Sequence, residues 1–380
     1  MKTLKTTMFV TACMAMMCAC TDQSTLDENQ GSNESNELVE LKINPSIALT
    51  RAAVTSENGS DLGSIAVYSS GTENNYAIYE YSSSPGGWGA KSGAGNIYLS
   101  KDPVTIFAYY PAYQANGSTA LEINVTDPIA APGTSSTINV SLNEGDGGEA
   151  KNGNQIYVAS DGTGSINTAS ADVDYMYAVN GSTADYTSTT TYAVSESQPT
   201  ANSTSSSVSL KMKHAMALVS FKVIKENYNN TGSLTKIVLK NTEGNTTLNK
   251  GDGQATMNIS SGAITLGTTA TAATFTRFIY TGDTTTSTAG YTLKGDASQS
   301  PAFSILTYPN AEADKSSITV EVTIDGQTYS KALPNSSQAW TAGANHVYTL
   351  KLSGADFTIS NVAIEAWGND VTMGDPLPLE

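Results

Sequence analysis

Residues 208–224 read VSLKMKHAMALVSFKVI, and this stretch decides the fold class. Its apolar residues recur at every second position, which is the period of a β-strand and not of a helix. From Val219 onward the apolar positions move to the opposite face, so the phase slips by one residue. A β-bulge, or a strand that passes from one sheet to another, would produce such a slip. The residues that share the first face are Leu210, Met212, His214, Met216 and Leu218.

The rest of the chain repeats short strand signals and contains no convincing amphipathic helix. Segments such as Ser64–Ser69 and Val104–Tyr110 are β-branched or aromatic, and Gly, Asn, Ser and Pro separate them. Asp325-Gly326 between two such segments predicts a type I′ hairpin turn. A Ser/Thr-rich stretch at 182–209 is the predicted domain boundary. The fold is therefore predicted to be all-β, with two antiparallel sandwiches at 52–205 and 206–380.

The charge balance excludes one broad class of function. The 380 residues carry 19 Lys plus Arg against 35 Asp plus Glu, for a formal net charge of −16. Nucleic-acid binding requires clustered cations that displace counterions from phosphate, and this chain contains only two arginines. We therefore expect no nucleic-acid partner.

The first residues indicate export. Residues 1–19 combine a positively charged start with a short apolar run, and they end immediately before Cys20. This arrangement resembles a bacterial lipoprotein signal, in which Cys20 is acylated and becomes the mature N-terminus; an ordinary secretory signal is the alternative. Cys13 and Cys18 would then be removed, leaving no free thiol for a disulfide or a metal. Residues 20–37 are polar and aperiodic, and we expect a flexible tether there.

A separate strand signal follows the tether. Val39, Leu41 and Ile43 alternate with polar residues, as in a half-buried strand. Arg51 lies between this segment and everything downstream, which makes it the best candidate in the chain for a proteolytic processing site, with Ala52 as the new N-terminus. A cut at this site would separate residues 38–51 from the rest of the chain.

No catalytic constellation is recognisable. The two histidines, His214 and His346, exclude a His-rich zinc site, and His214 on an apolar strand face is better explained as a core residue. The acidic loop with Asp146, Glu149 and Asp161 has spacing that fits no EF-hand. We expect no metal, no cofactor and no enzymatic activity, although a carboxylate pair on distant strands would escape sequence reading.

These segments together resemble the fimbrillin family of Bacteroidales, which comprises type V pilins and their Mfa-like relatives. The resemblance is carried by the signal ending at Cys20, by ALTRA at 48–52, by KHAMALVSFKV at 213–223 and by VAIEAW at 362–367. It implies two tandem transthyretin-like Greek-key sandwiches, exported as a lipoprotein to the outer membrane. It also implies that an Arg-specific protease cuts after Arg51.

Loss of residues 38–51 from a sandwich would leave unpaired backbone groups above an apolar floor, which is an acceptor for a strand from another subunit. The predicted partners are thus other copies or related fimbrial subunits, and the predicted location is the outer membrane and then an extracellular fimbrium serving adhesion. Pro376 and Pro378 make the outermost tail a poor strand. The candidate donor residues are Phe357, Ile359, Val362, Ile364 and Trp367.

Two other functions stay open at this stage. A surface glycan-binding lipoprotein would keep Cys20 lipidated, would not be cut at Arg51 and would stay monomeric. The third candidate function is that of an enzyme, a glycosidase.

Overall fold

The computed structural model describes residues 38–47, 59, 62–71, 75–83, 86–92, 95–115, 123–128, 136–145, 148–151, 153–161, 166–181, 197–335, 338–359, 362–367 and 371–372. Within these ranges the protein is built from strands and contains no α-helix, which confirms the all-β prediction. A 3-10 helix spans Ala297–Gln299.

The strands of the first half are β1 (Val39–Glu40), β2 (Lys42–Ile47), β3 (Ser64–Ser69), β4 (Tyr76–Ser83), β5 (Gly86–Ala90), β6 (Tyr98–Leu99), β7 (Val104–Tyr110), β8 (Tyr113–Ala115), β9 (Ile123–Pro128), β10 (Thr137–Asn139), β11 (Gln155–Val158), β12 (Ile166–Asn167), β13 (Met176–Asn180) and β14 (Thr200–Ala201). Those of the second half are β15 (Ser207–His214), β16 (Ala217–Glu226), β17 (Ser233–Asn241), β18 (Thr256–Asn258), β19 (Ile264–Thr265), β20 (Thr274–Thr281), β21 (Thr288–Ala289), β22 (Tyr291–Thr292), β23 (Ala302–Thr307), β24 (Ile318–Ile324), β25 (Gln327–Ala332), β26 (Ala344–Ser353), β27 (Asp356–Ile359), β28 (Ala363–Ala366) and β29 (Val371–Thr372).

Three large sheets contain most of these strands. An eight-stranded sheet has the order β2-β15-β13-β7-β3-β4-β5, with β14 beside β7. One seven-stranded sheet has the order β27-β26-β16-β23-β12-β29, with β28 also on β26. The other has the order β11-β20-β17-β24-β25, with β21 and β22 at its side. Smaller sheets join β10-β18-β19, β1-β6 and β8-β9.

Strand pairing is mixed, although most neighbours are antiparallel as predicted. Parallel pairs occur where strands from distant parts of the chain become neighbours, as in β2 with β15, β16 with β26, and β11 with β20. Sequence periodicity predicts which face of a strand is buried, but it carries no information on the direction of the neighbouring strand.

The stretch 208–224 changes sheets, which is one of the two explanations that its sequence allows. β15 lies in the eight-stranded sheet and β16 in a seven-stranded sheet, with the break at Ala215 and Met216. Leu210 packs in the core of the first half, whereas Val219 and Phe221 pack in the core of the second. The slip in apolar phase therefore marks the passage from one core to the other.

Three hydrophobic clusters form the core. One lies between the two seven-stranded sheets, and another lines the inner face of the eight-stranded sheet. A third combines residues of both halves, such as Tyr109 with Leu306. Residues 37–380 form one compact unit, and the division into domains at 205/206 stays a prediction.

The hairpin prediction at Asp325-Gly326 is confirmed. Both residues have positive φ, as a type I′ turn requires, and they join β24 to β25. The Asp325 carboxylate also accepts hydrogen bonds from the backbone N–H groups of Gly232 and Ser233 at 2.8 and 2.9 Å. The turn thus holds a neighbouring loop in addition to reversing the chain.

A buried ion pair joins the two halves of the chain. Arg277 is 0% exposed, and its Nη2 donates to Asp172 Oδ1 at 2.7 Å. The Asn143 side chain also donates to Asp172, at 3.0 Å. Because both charges are desolvated, each depends on the other for its stability in the interior.

Candidate functional site

The N-terminal strand segment forms the candidate site, because it is the part of the fold that the predicted processing would remove. It changes partner at Leu41. Before that residue β1 pairs antiparallel with β6, and after it β2 pairs in parallel with β15. The Leu41 N–H donates to Ile97 O at 2.9 Å, and the Lys42 N–H donates to Ser206 O at 2.8 Å. The segment therefore bridges two strands that lie on opposite sides of it.

The predicted alternation of this segment is confirmed. Leu41 is 1% exposed and Ile43 is 7% exposed, whereas Val39 is half-buried and the polar residues between them face solvent. Leu38, just before β1, is 58% exposed. Leu41 and Ile43 are members of the cluster on the inner face of the eight-stranded sheet. The short segment 38–47 thus supplies part of the core of the eight-stranded sheet.

β2 lies at the edge of the eight-stranded sheet and fills a groove there. In the eight-stranded sheet β2 is the terminal strand next to β15, and it also packs against β5 from the other end of that sheet. The floor beneath it includes Ile65, Leu99 and Met212, all buried. Without β2, the β15 edge would lose its hydrogen-bond partner and this floor would lose its cover.

One buried polar group in the groove was not predicted. Tyr79, on β4, is 1% exposed, and its hydroxyl donates to the backbone oxygen of Leu41 at 2.9 Å. Burial, together with the nearby Glu40 carboxylate, raises the pKa of the Tyr79 phenol, so the hydroxyl keeps its proton. Nothing in the sequence distinguishes Tyr79 from the other tyrosines of its strand.

The C-terminal candidate residues lie in a different sheet from the groove. β27 and β28 both pair antiparallel with β26. The structure thus pairs β27 and β28 with a strand of their own chain, and neither of them pairs with β15. Phe357 is buried, Ile359 and Val362 are half-buried, Ile364 is 41% exposed and Trp367 is buried.

Trp367 belongs to a side-chain cluster that connects the C-terminal segment to His214 and Asp174. Its ring stacks on the His214 imidazole with centroids 4.1 Å apart and planes 7° from parallel. His214 in turn hydrogen-bonds to the Asp174 carboxylate through Nδ1. The prediction that His214 is a core residue is thus confirmed. Asp174 was missed because its partner is remote in sequence.

His346 belongs to a second buried polar cluster. Its Nε2 accepts the Thr341 N–H at 3.1 Å, and burial beside the Lys315 ammonium lowers its pKa to about 4. Burial lowers the pKa of Lys315 to about 8, and its Nζ lies 5.2 Å from the centre of the Trp340 ring. Both residues are inaccessible to solvent, so this cluster is a feature of the core.

Several predicted features lie outside the described residues: the signal at 1–19, the tether at 20–37, Cys20, Arg51, Ala52 and Asp146. In the described ranges no group of three or more His, Cys, Asp or Glu side chains is arranged to hold a metal ion. No helix in those ranges is long and apolar enough to cross a membrane.

Comparison with known proteins identifies the class of this fold. The fimbrillin-like family profile matches residues 50–367, which is most of the chain. The chain therefore belongs to the fimbrillin-like family, and the resemblance seen in its sequence is confirmed. Among curated proteins, none matches this sequence.

Two solved structures share the fold. A candidate cell adhesion protein from Bacteroides uniformis has a TM-score of 0.50 at 15% identity, with 88% of this chain and 100% of that chain covered. A candidate cell adhesion protein from Bacteroides ovatus has a TM-score of 0.52 at 18% identity, with 87% and 99% covered. At these identities the likeness establishes the fold, and function has to be argued from the residues.

Proposed function

We propose that this protein is a structural subunit of an adhesive surface fimbria, and not an enzyme, that polymerises when a strand of one subunit replaces the N-terminal strand of the next. The precursor is anchored in the outer membrane by a lipid on Cys20. An Arg-specific protease then cuts after Arg51, so that the mature chain begins at Ala52. Membership of the fimbrillin-like family supports the fimbrial role.

The observation that carries the proposal is the position of β2. It is a sheet-edge strand and it precedes Arg51 in sequence, and the segment to which it belongs buries Leu41 and Ile43 in the core. Burial of each of these side chains contributes about 1.5–3 kcal/mol. An empty groove would therefore lose about 3–6 kcal/mol of burial. A strand of similar pattern from another copy would restore it.

The cut changes which strand occupies the groove. Before cleavage the N-terminal strand is tethered to its own groove, where short linkers give effective concentrations on the order of millimolar. After cleavage it becomes a separate peptide that dilutes away, whereas a donor strand arrives attached to a whole subunit. Head-to-tail contacts of this kind do not close into a ring, so they extend into a filament.

The distribution of arginines supports a single, specific cut. The chain has two arginines, and Arg277 is completely buried in its ion pair with Asp172. An Arg-specific protease acting on the folded protein would therefore find only Arg51. Such a protease could remove the N-terminal strand without damaging the body of the subunit.

The donor is proposed to be the segment that contains Phe357, Ile359, Val362, Ile364 and Trp367. In the isolated chain this segment pairs with β26, so its donation requires release from its own subunit. The Trp367 stack on His214 is one contact that has to break.

Replacement of Arg51 tests the proposal. Arg51→Lys preserves the positive charge and removes the Arg-specific cut, and we expect it to abolish fimbriae while the uncut precursor accumulates in the outer membrane. The matched comparison treats purified wild-type protein and purified Arg51→Lys with the same Arg-specific protease, and only the wild type should be cut and polymerise. Normal fimbriae from Arg51→Lys in cells would overturn the processing step. Persistence of a monomeric, lipidated wild-type protein would instead favour the glycan-binding lipoprotein.

A further inference from the structure

The groove holds one buried hydrogen-bond donor that contacts the main chain of its occupant. Tyr79 lies in the middle of β4 between β3 and β5, and its ring belongs to the core cluster beneath β2. Its hydroxyl donates to the backbone oxygen of Leu41 at 2.9 Å. Leu41 is the residue at which the N-terminal segment leaves β6 and joins β15.

The geometry of that crossover explains why a side chain is needed there. In an extended strand, the N–H and C=O of one residue point to the same side, and consecutive residues point to opposite sides. The Leu41 N–H points toward Ile97, and the Lys42 N–H points toward Ser206 on the β15 side. The Leu41 carbonyl therefore points to the same side as the Leu41 N–H, toward Ile97. The pairing with β6 ends there, and the Tyr79 hydroxyl donates the hydrogen bond that this carbonyl accepts.

We infer that Tyr79 is the positioning residue for whichever strand occupies this groove, because its hydroxyl binds a main-chain carbonyl at the level of Leu41. Recognition through a carbonyl is independent of the side chains of the occupant. The inference rests on the proposed function where the occupant is donated by another copy. It applies without that assumption to the protein's own strand.

The hydrogen bond fixes which face of the occupant turns inward. A slip by one residue would point the carbonyl away from Tyr79 and would also turn the apolar side chains of the strand to solvent. The apolar floor and the Tyr79 hydroxyl thus select the same register. A strand from any partner has to satisfy both.

Hydrogen exchange on the uncut, full-length protein tests the inference without any processing step. Tyr79→Phe removes only the hydroxyl, and we expect the Leu41 and Lys42 amides to exchange about tenfold faster than in the wild type. Tyr308→Phe is the matched control, since Tyr308 is also buried and its hydroxyl donates to the backbone oxygen of Val140 at 3.1 Å. That variant should leave exchange at Leu41 and Lys42 unchanged. Equal exchange at these amides in Tyr79→Phe and the wild type would overturn the inference.

A second measurement separates this inference from the proposed function. After cleavage at Arg51, the N-terminal fragment should dissociate about tenfold faster from Tyr79→Phe than from the wild type or from Tyr308→Phe. Faster exchange in Tyr79→Phe, combined with no polymer from any variant, would support the positioning role and contradict strand exchange. Polymerisation with unchanged exchange and unchanged fragment release would support strand exchange and contradict the role of Tyr79.

Discussion

The free energy with which the groove binds the N-terminal segment can be measured with a graded series of side-chain truncations in that segment. Leu41→Ala removes a side chain that is 1% exposed and packed in the core cluster. Truncations of this kind cost about 2–5 kcal/mol, as transfer and cavity terms combined. Ile43→Val removes one methyl group from the same core and should cost about 0.5–1.5 kcal/mol. Leu38→Ala, at a site 58% exposed, should change stability by less than about 0.5 kcal/mol.

The consequence for strand release follows from the same energies. After cleavage at Arg51 no covalent bond holds the segment to the body of the subunit. The cost of about 2–5 kcal/mol for Leu41→Ala then corresponds to dissociation of the fragment that is faster by about 30-fold to several thousand-fold. The assay is the dissociation rate of the cleaved fragment, followed by mass spectrometry of the separated body and fragment. The expected order is Leu38→Ala slowest, then Ile43→Val, then Leu41→Ala fastest. If Leu38→Ala and Leu41→Ala release the fragment equally fast, the apolar floor does not hold the strand and the reasoning fails.

Three further predictions concern the body of the subunit. Asp172→Asn leaves Arg277 buried without its counter-charge. It should lower the free energy of unfolding, measured by chemical denaturation, by about 3–5 kcal/mol. A cost below about 1 kcal/mol would contradict the buried pair. His346 is buried as the neutral form with its pKa lowered to about 4, so its contribution is present above pH 6.5 and is lost as the pH falls. It should account for about 2 kcal/mol of lost stability between pH 6.5 and about pH 4.5, a loss that His346→Gln should lack. Trp367→Ala should cost about 3–5 kcal/mol in the uncut protein. Because Trp367 is also one of the proposed donor residues, polymer formed from this variant after the cut should dissociate more readily than wild-type polymer, and equally stable polymer would contradict Trp367 as a donor residue.

Local periodicity predicted the parts of this fold that depend on neighbouring residues. The alternation at 39–43, the turn at Asp325-Gly326 and the phase slip at Val219 each reflect a rule that acts over a few residues. In each case the sequence pattern and the packed structure agree because one face of a strand has to be buried.

The contacts that complete the candidate site could not be predicted in this way. The Tyr79 hydroxyl meets the Leu41 carbonyl only because β2 packs beside β5 from the far end of its sheet. Trp367 meets His214 because the C-terminal segment returns to β15 of the eight-stranded sheet. Each pair joins residues whose sequences contain no mutual signal, so the contact follows from tertiary topology alone.

The buried charges escaped prediction for a related reason. Arg277 lies in a strand of ordinary pattern, and Lys315 lies in a polar loop, so both resemble surface residues in the sequence. Their burial depends on partners from other elements, Asp172 in one case and the Trp340 ring in the other. The consequence for the proposed mechanism is that Arg277 is protected by burial, and Arg51 is the only other arginine in the sequence.

The most direct test of strand exchange is the intact mass and N-terminal sequence of the protein sheared from the cell surface, before and after digestion with an Arg-specific protease. The account predicts a mature chain that begins at Ala52, lacks residues 38–51 and runs as a high-mass ladder. A chain that keeps an acylated Cys20 through the digestion and remains monomeric would contradict it.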